Sequence, residues 1–353
     1  MFSDTIRILL PAGITFLIGM GMTPILAHYL YKYKAWKKTP GKMSMDGTVA
    51  QEFNRLHAEN EMRAPRMGGI VVWGSVVIAT IGLAAIAALI PNALTTSLDF
   101  LSRNQTWIPL ATLAVGGLTG LIDDILTIRP NGIGVPLGLR LLLVIILSGL
   151  IGLWFFVKLD VSTINIPFML PLEVGWLIVP FFVALSLGVY ASGVIDGIDG
   201  LSGSVFISVF SAYAIIAFAQ NQIDLAAFIA AIVGGLLAFL WFNVPPARFY
   251  MSDTGTMALT LALAVVVFMT DSLGGGYGVA LFPIIGAILV ATVLSNVIQV
   301  LGKRWWGVKI FRVAPLHHHF EAIGWPGYKV TMRYWILSIV CAVLGVIVAL
   351  TAL

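Results

Sequence analysis

Ten stretches of this chain, each about twenty residues long, are nearly free of charge, and this repetition limits the fold more than any other feature. They fall near 6–31, 68–90, 106–126, 137–157, 173–193, 200–219, 223–243, 255–270, 278–301 and 331–353. A run of that length crosses a hydrocarbon core as a helix, because only a helix satisfies its own backbone there. Only 10% of the residues are charged, against about 25% in soluble domains. The expectation is therefore an all-α, polytopic integral membrane protein of about ten transmembrane helices. It is read as a single catalytic domain over 1–353. Residues 1–31 read as a first span rather than a removed signal peptide, since no small-residue cleavage site follows the apolar core. The single cysteine, Cys341, rules out an intrachain disulfide.

Charge assigns the sides. All of the 20 basic residues except Arg7, Arg103 and Lys158 fall in the odd-numbered loops or at their edges. The positive-inside rule then makes those loops cytoplasmic and both termini extracytoplasmic. The net charge of +4 suits an anionic leaflet and anionic ligands, and nucleic acid is not expected as a partner.

On that basic side the remaining polar chemistry collects, in loops near 32–67, 123–136, 194–199, 244–254 and 302–330. "GLIDDILTIR" carries Asp123 and Asp124, adjacent and so about 100° apart on a helix. They either divide two roles or form a solvated helix end matched by Arg129. "SGVIDGIDGLSGS" places Asp196 and Asp199 three residues apart among glycines, which fits close ligand approach or tight helix packing. "WFNVPPARFYMSDTGTMAL" runs from Asn243 through a proline turn to Tyr250 and then Asp253. Asp253 caps the next span or meets a cation; Tyr250 faces a nucleobase or sits at the interface. "RVAPLHHHFEAIGW" holds His317, His318 and His319 in a loop, poorly spaced for one zinc ion but suited to several oxygens of a polyanion. "EMRAPRMGG" sets Arg66 at the start of the second span. Five carboxylates at one membrane face, among basic loops, point to a metal and phosphate site.

These motifs, in this order, resemble those of the polyprenyl-phosphate N-acetylhexosamine-1-phosphate transferases. The triple histidine is similar to that of the phospho-N-acetylmuramoyl-pentapeptide transferase branch. The resemblance covers essentially the whole chain. It implies transfer of phospho-N-acetylmuramoyl-pentapeptide from UDP-N-acetylmuramoyl-pentapeptide to undecaprenyl phosphate, giving lipid I and UMP for peptidoglycan synthesis. It also implies Mg²⁺, a homodimer, and a place in the bacterial inner membrane among its lipids, with the active site facing the cytoplasm. By resemblance, Asp253 is the magnesium ligand and Asp123 and Asp124 are the essential pair. Asp196, Asp199, Asn243 and Tyr250 belong to the nucleotide pocket, and His317, His318 and His319 hold the nucleotide-sugar. Four positions depart from the pattern. Thr127 stands for a lysine, leaving Arg129 or Arg140 to supply the charge. Gly193 and Ile195 replace an asparagine and a threonine. Arg66 stands in "PRMGG" where "PTMGG" is usual.

Two other readings compete. A sister transferase would use UDP-N-acetylglucosamine, but its histidine loop is spaced differently. An ion-coupled transporter would place charge at mid-membrane, whereas no charged residue occupies the middle third of any predicted span.

Overall fold

The computed structural model describes residues 4–38, 64–130 and 132–352. The basic residues Lys42, Arg55 and Arg63 of the predicted 32–67 loop lie outside these. Among the described residues, ten helices are long and apolar enough to cross a membrane. Up to and including the first acidic motif the helices are α1 (Asp4–Lys32), α2 (Ile70–Leu89), the short α3 (Ala93–Leu98) and α4 (Trp107–Thr127). α5 (Leu137–Lys158) leads to a small antiparallel hairpin, β1 (Thr163–Ile164) with β2 (Leu172–Glu173). α6 (Ile178–Ala191), α7 (Leu201–Ala219), α8 (Ile223–Asn243) and α9 (Ser252–Met269) follow. Last come α10 (Gly278–Ile285), α11 (Ala287–Leu301), α12 (Leu316–Ala322) and α13 (Gly327–Ala352).

The ninth predicted span, 278–301, is not one helix. It divides into α10 and α11 at Gly286, and the apolar length resumes from Ala287 through a π-helical turn to Trp306. Pro283 lies within α10 and cannot donate the backbone hydrogen bond of a continuous helix. The Phe282 ring lies over Gly286, where a Cβ would stand 2.8 Å from it. Hydropathy does not register such a break, because proline, glycine and phenylalanine all fit an apolar run.

α9 is the axis of the bundle. Every residue in it is buried except Asp253. A helix apolar on all sides belongs inside other helices, and α9 packs most extensively on α4. Glycines permit the approach. A Cβ on Gly116 would stand 2.7 Å from the Met257 carbonyl, one on Gly120 would overlap the Asp253 carbonyl, and one on Gly69 would overlap Gly255. Without a hydrophobic driving force in lipid, such backbone contact is what holds helices together. The hydroxyls of Thr256 and Thr260 bond back along their own helix, as Thr260 Oγ1 does to the Thr256 carbonyl at 2.6 Å.

At the end of α9 remote from Asp253, polar groups close off the helix. Gln222 Nε2 donates to the Met269 carbonyl at 2.9 Å and Gln220 Nε2 to the Thr270 carbonyl at 2.8 Å. Asp271 is buried and accepts from the backbone N–H groups of Asn165 and Val279, each at 2.9 Å. Burial pushes its carboxyl up to about 6, against those N–H donors and that of Ser272, which favour the charged form.

Two outcomes follow. Gly120→Ala lowers the melting temperature in detergent sharply, by several kcal/mol equivalent. Gly82→Ala, at a helical glycine open to space, leaves it unchanged or raises it. For Asp271 the folded pKa lies above the unfolded one, so its stabilisation is complete below about pH 4 and is lost as pH rises through 6. The stability of the parent relative to Asp271→Asn therefore falls by about 2–3 kcal/mol between pH 4 and 7. A pH-independent difference in melting temperature would contradict that assignment.

Candidate active site

The close crossing of α4 and α9 brings the last turns of one helix against the first turn of the other. Asp123 and Asp124 end α4, and Asp253 sits in the first turn of α9. The sequence places Asp253 just before the helix; the structure begins that helix earlier, at Ser252. There the carboxylate also meets the positive end of the helix dipole. Ser252 is not a side-chain cap. Its φ of 52° is in the left-handed region that favours glycine. Its backbone N–H donates to Asp196 Oδ2 at 2.7 Å, its hydroxyl donates to Asp124 Oδ2 at 2.6 Å, and the Met67 N–H donates to that hydroxyl at 2.8 Å. One serine thus ties together three separate segments of the chain.

Two guanidiniums complete the cluster. Arg66 Nε meets Asp124 Oδ1 at 2.9 Å while its terminal nitrogen reaches Asp253 Oδ2 at 3.3 Å. A terminal nitrogen of Arg140 lies 3.2 Å from Asp123 Oδ2 and 3.4 Å from Asp253 Oδ1. Asp124 also accepts from the Thr254 N–H at 2.9 Å and from the Thr254 hydroxyl, and Asp123 accepts from the Val135 N–H. The Asp124 and Asp123 side chains are 0% and 2% exposed, and that of Asp253 is 28% exposed. Asp253 is the member of the triad that faces outward. Burial disfavours the charge on Arg66, but the carboxylates of Asp124 and Asp253 outweigh it and hold the guanidinium above its ordinary pKa.

The backbone straps Arg66 in place. The Tyr250 N–H donates to the Pro65 carbonyl at 2.8 Å, and the Gly68 and Gly69 N–H groups donate to the Tyr250 and Met251 carbonyls at 2.8 and 3.1 Å. Tyr250 is half-buried beside this strap. Asn243 is buried with both ends of its amide committed, accepting from the Gly200 N–H at 2.9 Å and donating to the Phe249 carbonyl at 2.8 Å. It braces the 244–250 turn.

Asp196 accepts from Ser202 Oγ at 2.7 Å as well as from Ser252. Burial pushes its carboxyl above the usual range against these donors. Asp199 accepts from the Ala247 N–H at 3.0 Å. The three histidines lie on α12, not in an irregular loop, so they diverge as successive helical positions do. His317 and His318 are buried, and a Cβ on Gly197 would stand 2.7 and 2.5 Å from their Nε2 atoms. Gly197, between Asp196 and Asp199, is what lets the imidazoles approach. His318 Nδ1 meets Glu321 Oε2 at 2.8 Å, while His319 turns away to accept from the Arg312 N–H at 3.2 Å.

The structure thus gathers Asp123, Asp124, Asp253, Arg66 and Asp196 directly, and brings Asp199 and the histidines alongside. Arg129 is exposed past the end of α4, and Arg140 is the arginine on the acids. Thr254 and Ser202 are supporting groups with no individual signal in the sequence, and Ser252, a candidate cap for the span from sequence alone, supports Asp124 and Asp196 instead of capping the helix. Among the described residues, no group of three or more His, Cys, Asp or Glu side chains could hold a metal ion by itself. A magnesium ion, however, needs only one or two carboxylates when substrate phosphates supply other oxygens. The outward Asp253 carboxylate fits an ion shared in that way.

Comparison with known proteins identifies the family. A family described as Glycosyl transferase family 4 matches residues 106–271, which run from α4 through α9. A protein named phospho-N-acetylmuramoyl-pentapeptide-transferase from Anoxybacillus flavithermus is 31% identical over 96% of this chain and 97% of its own. Its namesake from Bacillus mycoides is 30% identical over 96% and 97%. The one from Listeria monocytogenes is 30% identical over 88% and 91%. The first two of these likenesses run over nearly the whole chain. The chain belongs to the phospho-N-acetylmuramoyl-pentapeptide-transferase family.

Proposed function

We propose that this membrane protein transfers phospho-N-acetylmuramoyl-pentapeptide from its UDP carrier to undecaprenyl phosphate, yielding lipid I and UMP. The observation that carries the reading is the meeting of Asp123, Asp124 and Asp253, from two distant helices, around two guanidiniums at one end of an apolar bundle. An oxygen of the lipid phosphate attacks the β-phosphorus of the nucleotide. The bond from that phosphorus to the oxygen bridging the two phosphates breaks, and UMP leaves with the bridging oxygen. Both reactants are anions, so positive charge must lie between them. Asp253 would hold Mg²⁺, which when bound would supply positive charge to the phosphates and to the leaving UMP.

The chain's own residues do the positioning. Asp124, with its oxygens committed to Arg66, Ser252 and Thr254, fixes the start of α9 and so the direction of Asp253. Asp123 holds Arg140 and offers Oδ2 to a proton of the lipid phosphate. Arg66 can turn the terminal arm that meets Asp253 to a phosphate while its Nε keeps Asp124. His317 and His318, against the Asp196–Asp199 turn, donate to the nucleotide-sugar, with Tyr250 beside the uracil. The bias of basic residues supports a cytoplasmic site in the bacterial inner membrane. The whole-length relatives favour the muramoyl nucleotide over UDP-N-acetylglucosamine. The apolar middle of α9 argues against a transporter.

The decisive assay follows UMP release by purified protein with each nucleotide, with and without Mg²⁺; release should need the muramoyl-pentapeptide nucleotide and the metal. Asp253→Asn is expected to reduce turnover at least a thousandfold with an unchanged melting profile, and near-normal turnover would remove it from the metal role. His318→Ala should raise KM for the nucleotide at least tenfold and leave KM for the lipid phosphate nearly constant. An unaltered nucleotide KM would detach the histidines from that substrate.

A further inference from the structure

The arginines occupy the place where a cation is needed, and their contacts are graded. Each holds one interior carboxylate more closely than it holds Asp253: Arg66 at 2.9 Å on Asp124 against 3.3 Å on Asp253, Arg140 at 3.2 Å on Asp123 against 3.4 Å on Asp253. Between them they face both oxygens of Asp253. A magnesium ion must approach a carboxylate oxygen to about 2.0–2.1 Å and keeps a full octahedron of oxygens. With a guanidinium on either side it meets both a steric obstacle and positive charge at short range, in a partly dehydrated setting where Coulomb terms are large.

We infer that Arg66, with Arg140 as its counterpart, is a built-in counter-cation that competes with divalent ions for Asp253, so that the substrate-free protein binds such ions weakly. Arg66 meets Asp124 through Nε and Asp253 through a separate terminal nitrogen, so that arm can leave Asp253 while Nε keeps Asp124; Arg140 meets Asp123 and Asp253 through one and the same nitrogen, held closer to Asp123. A diphosphate entering the site takes the Arg66 arm and opens Asp253 to the ion. Divalent binding is thereby tied to arrival of the nucleotide, and an unliganded site does not fill with metal. This inference rests on Asp253 being the metal-facing carboxylate of the proposed reaction.

The test measures Mn²⁺, as a paramagnetic stand-in for Mg²⁺, binding to full-length substrate-free protein in detergent by the loss of its free-ion resonance signal. Arg66→Gln removes the charge and keeps an N–H donor for Asp124; it should bind at least tenfold more tightly than the parent. Arg66→Lys retains the charge and should stay within threefold of the parent. Adding Asp253→Asn to Arg66→Gln should abolish the gained site. Melting curves and size-exclusion profiles establish that each variant is folded. Where Arg66→Gln does not fold, Arg140→Gln frees the opposite oxygen of Asp253 and should give the same tightening. Equal Mn²⁺ affinity in the parent and the folded neutral variants overturns the competition. If Asp253→Asn still removes the parent's weak site in that case, the metal role of Asp253 stands without it. A tightened site that survives Asp253→Asn places the ion elsewhere and overturns the inference. UMP release by the parent, measured separately, judges the transfer reaction itself.

Discussion

The backbone contact between α4 and α9 is the constraint on which the site depends. Gly116 and Gly120 let one helix lie against the carbonyls of the other, and that spacing decides which side chains meet at the ends. With a larger residue at Gly120 the Asp253 turn moves outward, and the hydrogen bonds of Ser252 and Thr254 to Asp124 are lost together. Packing and chemistry share one set of atoms here. The first turn of α9 is both the closest helix contact and the segment that presents the outward carboxylate.

That arrangement explains how three acids survive beside hydrocarbon. A buried carboxylate costs several kcal/mol unless it is paired and hydrogen-bonded. Asp124 is fully buried and has an arginine, two hydroxyls and a backbone N–H. Asp123 has an arginine and a backbone N–H. Asp253 keeps some exposure and two looser guanidinium contacts, so it is the acid best able to exchange partners. The graded solvation of one triad sets Asp124, wholly committed within the protein, apart from Asp253, the acid most open to a ligand.

Much of this was legible in the chain itself. Nine of the spans follow from length and hydropathy, since an apolar stretch of about twenty residues has few alternatives. The split at Gly286 was hidden because its cause, Pro283 and the Phe282 ring, is as apolar as the span it interrupts. The acidic face was readable from loop parity and charge, which require no knowledge of contacts. The pairing was not: Arg66 lies 58 residues from Asp124 and 187 from Asp253 in sequence, and only the packed bundle shows that it touches both. Likewise "HHH" in isolation suggested a polar loop, whereas Gly197 and Glu321 give two of the rings a buried helical setting. Ser252 was invisible as a hub because its role rests on a left-handed backbone angle.

The filled centre of the bundle carries a consequence for traffic. Thr254–Met269 plug the interior between the acidic mouth and the Asp271 end with buried, mostly apolar side chains. Along this helix the described residues leave a bulky headgroup made at that mouth no corridor to the opposite surface, so its exit runs sideways, still anchored in the leaflet that supplied its lipid.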